Sequence, residues 1–287
     1  MGRTSSYAEH LHYFYWDNRI SSWDQTPIPV RPSRDEIEIY REFLQKQQSK
    51  GRILILGSTP ELRDLAARET NAVVYLADFS YRAPFETLKF TKYVDPSKEK
   101  WIKDNWLELP FPPNFFDLIV GDLVLQQFPP ALESTFLEKM RSFLRSNGAF
   151  IGRFHFLDKR VQQGNIGEIV QRTLRSRVDE QQKFFQLKLR IVWLFADLER
   201  RIWRRQLAAK KFNEFLLDST AQQPLLLRVR DSLADESDSF QSWSCPTEEK
   251  LITILSPFFL IEDKKTASDY EDAEYYPLFL LSPRVPH

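Results

Sequence analysis

The stretch Gly51 to Ser80, GRILILGSTPELRDLAARETNAVVYLADFS, constrains this chain more than any other. A short apolar run, Ile53 to Leu56, breaks at Gly57, and helical periodicity follows from Pro60 to Arg68. Pro60 suits a first helical turn, where its missing N–H has no intrahelical partner to lose. A second apolar run, Ala72 to Ala77, closes on Asp78, about 20 positions beyond the turn. Strand, glycine turn, helix, strand and terminal acid at that spacing form the βαβ pattern that grips a nucleoside. The glycine lets backbone approach the ligand, the helix N-terminus offers free N–H groups, and the acid accepts from two vicinal ribose hydroxyls.

The alternation continues on both sides. Upstream, Pro27, Pro29 and Pro32 enforce an extended entry. Ser33 with Glu36 then forms a capping box ahead of Ile37, Tyr40 and Leu44. Downstream, Tyr81 to Lys89 is a short helix candidate, Phe90 to Val94 a third strand, and Phe115 to Asp122 an almost wholly apolar fourth strand. Ala131 to Arg145 reads as a helix ended by Asn147-Gly148, and Ala149 to Phe156 as a fifth strand. Pro246 to Ser256 suits a helix, and Phe258 to Glu262 and Tyr276 to Leu281 suit strands. The short loop between these last two strands leaves no room for a crossover helix, so the last strand must run antiparallel.

The expected fold is therefore α/β, a doubly wound seven-stranded mostly parallel sheet with an antiparallel last strand and a helical insertion after strand five. In such sheets ligands sit at the carboxyl ends of the strands, where Gly57, Asp78, Asn105, Gly121, Asp122 and His155 all fall. The expected organisation is an aromatic segment and covering helix over 1–50, the ligand-binding core over 51–158, the insertion over 159–245, and completion of the core over 246–287.

The insertion holds one or two long helices between Asn165 and Asp218, and 219–243 reads as a loop. Twelve Lys or Arg against four Asp or Glu lie between Gln171 and Lys211, a solvated face whose counter-charge is the acidic stretch Asp231 to Asp238. Over the whole chain 40 basic and 40 acidic side chains cancel, which argues against a dedicated nucleic-acid binder. A single cysteine, Cys245, fits a reducing compartment. The start lacks the apolar core of a signal peptide, and Leu189 to Leu198 is too short to cross a bilayer. The expectation is a cytoplasmic protein with no transmembrane segment.

Before the first strand, rings crowd together, Tyr15 and Trp16 among them. They are read either as a lid stacking on an aromatic ligand or as a segment packed across the sheet edge. His10 and His12 have no partner that completes a metal site, and none is expected.

The run Ile53-Leu54-Ile55-Leu56-Gly57-Ser58-Thr59-Pro60, followed by Asp78, Asn105-Trp106, Leu109-Pro110-Phe111, Phe116-Asp117-Leu118-Ile119-Val120 and Leu144-Arg145-Ser146-Asn147-Gly148, resembles the class I S-adenosylmethionine-dependent methyltransferases of small-molecule type. LGSTPELRDLA, with Arg31-Pro32-Ser33, resembles uncharacterised bacterial members. The resemblance implies S-adenosylmethionine as cofactor and transfer of its methyl group to a small-molecule acceptor. Its cofactor residues would be Gly57, Ser58, Thr59, Glu61, Asp78, Phe79, Asn105, Trp106, Gly121 and Asp122. His155 is the candidate general base with Asp122 as a second, and Tyr15, Trp16 and Arg153 are candidate acceptor contacts. The family turn usually carries three glycines where this chain has Gly57, Thr59 and Glu61, and its customary acid two residues earlier is Ile55. Glu61, at the helix start, is the candidate to replace that acid toward the methionine amino group. Three alternatives stand beside this reading: a catalytically inactive binding or scaffold protein, a nucleic-acid methyltransferase using the basic insertion, and a nicotinamide-dependent dehydrogenase. The last lacks its Gly-x-Gly-x-x-Gly motif.

Overall fold

The computed structural model describes residues 20–218, 223–235 and 243–284. A seven-stranded sheet has the order β3-β2-β1-β4-β5-β7-β6, with β1 Arg52–Leu56, β2 Val73–Asp78, β3 Glu99–Lys103, β4 Phe116–Asp122, β5 Leu144–Arg153, β6 Phe259–Lys265 and β7 Leu278–Pro283. β1 to β5 pair in parallel, while β7 runs antiparallel to both β5 and β6. The helices are α1 Arg34–Gln45, α2 Pro60–Glu69, α3 Arg82–Glu86, α4 Pro130–Phe143, α5 Ile166–Arg175, α6 Glu180–Leu194, α7 Arg205–Asp218, α8 Pro224–Asp235 and α9 Glu248–Leu255. This is the expected doubly wound sheet with its reversed last strand.

The central strands β1 and β4 are almost entirely buried, as a sheet covered on both faces requires. Ile53, Ile55, Leu118 and Val120 form one core with Tyr40, Phe43 and Leu44 of α1 and Leu62 and Leu65 of α2. The capping box starts α1 as expected: Glu36 N donates to Ser33 Oγ at 3.2 Å, and Ser33 N donates to Glu36 Oε2 at 2.7 Å.

The third strand is not Phe90 to Val94. The Asp64 carboxylate takes the backbone N–H groups of Lys92 and Tyr93 at 2.9 and 2.8 Å, removing the donors a ladder would use. Glu99–Lys103 takes the edge instead, with the charged alternation EKWIK that protects an edge strand. Asn147-Gly148 does not end a helix either, because α4 passes directly into β5 at Leu144. The dipeptide lies in an irregularity where the pairing jumps from Phe116↔Leu144 to Leu118↔Ala149.

The described residues divide into two compact units, one containing residues 20–155 and 249–284 and the other lying between Phe156 and Glu248. The second is all helical in its regular elements. Its helices α5, α6 and α7 replace the one or two long helices expected, and α8 occupies sequence that reads as loop. Leu187, Ile191, Ala208, Phe212, Leu226 and Val229 form its core. No helix among the described residues is long and apolar enough to cross a membrane.

Candidate functional site

β1 lies between β2 and β4, and the connections that follow it depart in opposite directions across the sheet, which opens a crevice at the strands' carboxyl ends. The residues leaving those ends define the site. Gly57 turns the chain with φ of 86°, a conformation open to glycine without strain, and its N–H donates to the Ala77 carbonyl at 2.8 Å. Ser58 and Thr59 follow, both buried, and α2 begins at Pro60 with no side-chain cap on its first N–H groups.

Asp78 closes β2 beside this turn. Ser58 Oγ donates to its Oδ2 at 2.6 Å and Ser80 N to its Oδ1 at 2.9 Å, so the carboxylate is fixed from both flanking turns. Phe79 lies between these two anchors, half-buried. Trp106 forms the adjacent wall: its Nε1 donates to the Ala77 carbonyl at 2.8 Å, and its Cζ2 would stand 3.8 Å from a Cβ on Gly57. Phe128 and Phe136 back it at ring-centroid distances of 6.1 and 6.4 Å. Asn105 Oδ1 accepts from Leu107 N at 3.0 Å, an Asx turn that shapes the loop carrying Trp106.

At the end of β4, Gly121 is hemmed in by Val124 and Leu56, where an added Cβ would fall 2.8 Å from a Val124 methyl. Asp122 and Arg153 end β4 and β5 side by side. Arg153 Nε donates to Asp122 Oδ1 at 2.7 Å and Nη2 to Oδ2 at 2.9 Å. Nη1 pairs with Glu36, and Nη2 also reaches the Pro29 carbonyl at 2.8 Å. Tyr40 OH donates to the Gly121 carbonyl at 2.8 Å and accepts from Arg153 N at 3.0 Å, while Tyr270 OH donates to Glu36 Oε1 at 2.6 Å. Burial pushes the Asp122 carboxyl up against the pull of Arg153. Burial also opposes the charge of Arg153, but Asp122 and Glu36 outweigh it and hold the guanidinium well above its ordinary value.

His155 lies two residues beyond Arg153 and is buried, stacked on Tyr276 with centroids 4.3 Å apart and planes within 9°. Burial first, and then the charge of Arg153, pull its pKa to about 3.

No family model and no curated protein matches the sequence. The structure is similar to several solved ones. A 1,6-didemethyltoxoflavin-N1-methyltransferase from Burkholderia thailandensis, solved with 1,6-didemethyltoxoflavin and S-adenosylhomocysteine, matches 100% of this chain and 93% of its own, with TM-score 0.54 and 12% identity. The N-methyltransferase NodS from Bradyrhizobium japonicum WM9, with S-adenosylhomocysteine, matches 94% and 97%, with TM-score 0.51 and 12% identity. A protein from Rhodobacter sphaeroides provisionally named a Zn-dependent alcohol dehydrogenase matches 98% and 100%, with TM-score 0.57 and 16% identity. The fold is that of the class I methyltransferases.

Within this methyltransferase fold the structure brings together Gly57, Ser58, Asp78 and Trp106, and separately Gly121, Asp122 and Arg153. The polar residues at the ends of the last strands are engaged within the protein. Arg153 is wholly buried among Glu36, Asp122 and Pro29, so its donors face the protein and not an acceptor. His155 is held neutral far below physiological pH, which makes it a weak proton acceptor. Asp122 is committed to Arg153. Glu61 accepts from Trp23 Nε1, with 3.0 Å to each of its oxygens. Tyr15 and Trp16 lie outside the described residues. Sequence reasoning missed Tyr40, Trp23 and Arg31. The capping box announced Glu36, but nothing in the spacing announced that its carboxylate also meets a residue 117 positions away. Among the described residues no group of three or more His, Cys, Asp or Glu is arranged to hold a metal ion.

Proposed function

We propose that this protein binds S-adenosylmethionine at the β1–β2–β4 crevice and transfers its methyl group to a small-molecule acceptor. The observation that carries the reading is Asp78. Its carboxylate is oriented by Ser58 from the glycine turn and by Ser80, beside a turn whose backbone has the positive φ that close approach to a ligand requires. An acid that closes the second strand beside a glycine turn stands where a nucleoside's ribose hydroxyls are accepted. Trp106 offers an apolar wall next to Gly57, and the first N–H groups of α2 face the same turn.

When bound, the cofactor supplies an electrophilic methyl carbon on its sulfonium, and transfer is a displacement that needs alignment and exclusion of water. The chain's residues serve that alignment: Asp78 fixes the sugar, Gly57 admits it, and the Gly121–Asp122 end of β4 bounds the reacting end. The small-molecule class is supported by the balanced charge and by the didemethyltoxoflavin enzyme among the structural relatives. With His155 neutral and Asp122 paired, neither candidate base is ready to take a proton, which favours an acceptor that attacks without losing one beforehand.

The same observation supports a second reading, a methyltransferase-fold protein that binds cofactor without turnover. Cofactor binding tests both readings together, and methyl transfer separates them. S-Adenosylhomocysteine should raise the unfolding temperature and nicotinamide dinucleotides should not, and Asp78→Asn should weaken S-adenosylhomocysteine by about 10- to 100-fold, the effect of a lost charge-assisted hydrogen bond. No stabilisation by S-adenosylhomocysteine sinks both readings, whereas stabilisation without methyl transfer to any acceptor leaves the second.

A further inference from the structure

Ile55 stands on β1 two residues before Gly57, fully buried in the core of the sheet. β1 carries no acidic side chain, so the counter-charge for a positive group at the amino-acid end of a ligand must come from another element. Glu61, the second residue of α2, presents a carboxylate there with 24% of its side chain exposed. Trp23 Nε1 bridges its two oxygens at 3.0 Å each. One indole N–H shared by two oxygens, with a backbone N–H beside it, leaves the carboxylate able to accept from a ligand.

Arg31 stands beside it, Nη1 lying 3.9 Å from Glu61 Oε1 and its side chain 35% exposed. That separation is beyond hydrogen-bond reach, so the opposite charges stand side by side without consuming each other. The Arg31 side chain is anchored through Nε, which donates to the Thr26 carbonyl at 2.7 Å. Among the described residues its two terminal nitrogens donate no hydrogen bond. Burial raises the Glu61 pKa, while the Trp23 hydrogen bond, a backbone hydrogen bond and the Arg31 charge lower it. A carboxylate and a guanidinium held side by side at the rim of the crevice match one chemical group, the zwitterion of an α-amino acid.

We propose that Glu61 and Arg31 form a two-charge clamp for the amino-acid end of the cofactor, Glu61 accepting from its α-ammonium and Arg31 donating to its α-carboxylate, with Trp23 as a positioning residue. The inference rests on the S-adenosylmethionine reading and deepens it. It relocates to α2 and the segment before α1 a contact that Ile55 cannot make, and it gives selectivity against adenosine ligands with no amino acid.

Titration calorimetry on the full chain with three ligands tests it: S-adenosylhomocysteine, decarboxylated S-adenosylmethionine, which keeps the amine, and 5′-methylthioadenosine, which has neither charge. Glu61→Gln should weaken the first two by about 10- to 100-fold and the third by less than about twofold. Arg31→Met should weaken only S-adenosylhomocysteine, by about 10-fold. Trp23→Phe should repeat the pattern of Glu61→Gln at roughly 3- to 10-fold, a selectivity that general loosening of the fold would not produce. Unchanged S-adenosylhomocysteine affinity in Glu61→Gln, or equal losses for all three ligands, overturns the clamp while the cofactor reading stands. A native chain that binds none of the three overturns the cofactor reading and the clamp with it.

Discussion

Arg153 grips Asp122 through two parallel hydrogen bonds, Nε to Oδ1 at 2.7 Å and Nη2 to Oδ2 at 2.9 Å, with both side chains at the ends of adjacent strands and almost entirely buried. Glu36 from α1 takes the remaining edge of the guanidinium, so one cation serves two carboxylates. The cluster ties the covering helix to β4 and β5 where those strands deliver their residues to the crevice. Its polar atoms are turned toward one another, so it holds the ends of β4 and β5 together.

Arg153→Met should destabilise the fold by about 3–5 kcal/mol at neutral pH, because it leaves Asp122 and Glu36 charged and buried without a cation. The loss should shrink as pH falls, since carboxylates stripped of their partner protonate more readily. Tyr40→Phe removes the hydroxyl shared by the Gly121 carbonyl, the Asp122 carboxylate and the Arg153 amide, and should cost about 1–3 kcal/mol with a smaller pH dependence, because the guanidinium still pairs with both carboxylates. Urea denaturation of the three proteins at pH 5 and pH 7 checks both. Equal losses for Arg153→Met at the two pH values would remove the electrostatic account.

Gly57→Ala separates conformation from crowding. The added methyl would have Trp106 Cζ2 as its neighbour at 3.8 Å, an ordinary contact, so the penalty comes from φ of 86°. A cost of roughly 1–2 kcal/mol in stability is expected from forcing an L-residue into that region. Because relief of the strain would move the turn that faces Asp78, S-adenosylhomocysteine affinity should fall along with it. Chemical denaturation and calorimetry on the same variant check the pair, and full affinity in a destabilised protein would detach the turn from ligand binding.

The ordering of the sheet was legible because it is written in local signals. Apolar runs of strand length stop at Gly57, Asp78 and Asp122, and the short segment between β6 and β7 leaves no room for a crossover. β3 was misplaced because an edge strand needs no apolar run, and charged Glu99–Lys103 looks less like a strand than Phe90 to Val94 does. Gly57 at the turn after β1 and Asp78 at the end of β2 are readable from spacing. What Arg153, His155 and Glu61 touch is not, since Arg153 meets Glu36 across 117 positions and Glu61 meets Trp23 across 38. Patterns of period 2 or 3.6 carry faces and ends, whereas contacts between distant segments are fixed only by tertiary packing.

His155 makes a prediction about acid stability. Its folded pKa, pulled to about 3 by burial and by Arg153, lies below the unfolded value near 6.5. Between these values the unfolded chain binds a proton that the folded chain refuses. Stability is therefore complete above about pH 6.5 and is lost as pH falls toward 3, with a slope of up to roughly 1.4 kcal/mol per pH unit. His155→Phe, which keeps a ring against Tyr276, should flatten that part of the profile, as measured by denaturation midpoints from pH 7 to pH 4. An unchanged acid slope would place the histidine in contact with solvent.

Glu61 predicts a pH dependence of opposite origin. Burial is the largest influence on its carboxyl and raises its pKa above the ordinary glutamate value. For folding, a raised value means that the contribution of Glu61 is present at low pH and is lost as pH rises through the folded value, because burial penalises the charged form. For binding the sign reverses, since only the ionised carboxylate attracts an α-ammonium. S-Adenosylhomocysteine affinity should thus decline as pH falls through the folded pKa of Glu61, starting above the range where an exposed glutamate titrates and approaching about tenfold per pH unit. Glu61→Gln should bind weakly at every pH without this decline, and 5′-methylthioadenosine, which carries no ammonium, should show none with the native chain. Calorimetric titrations of both ligands between pH 8 and pH 5 decide the matter: parallel profiles for the two would assign the pH dependence to a group other than the residue at the start of α2.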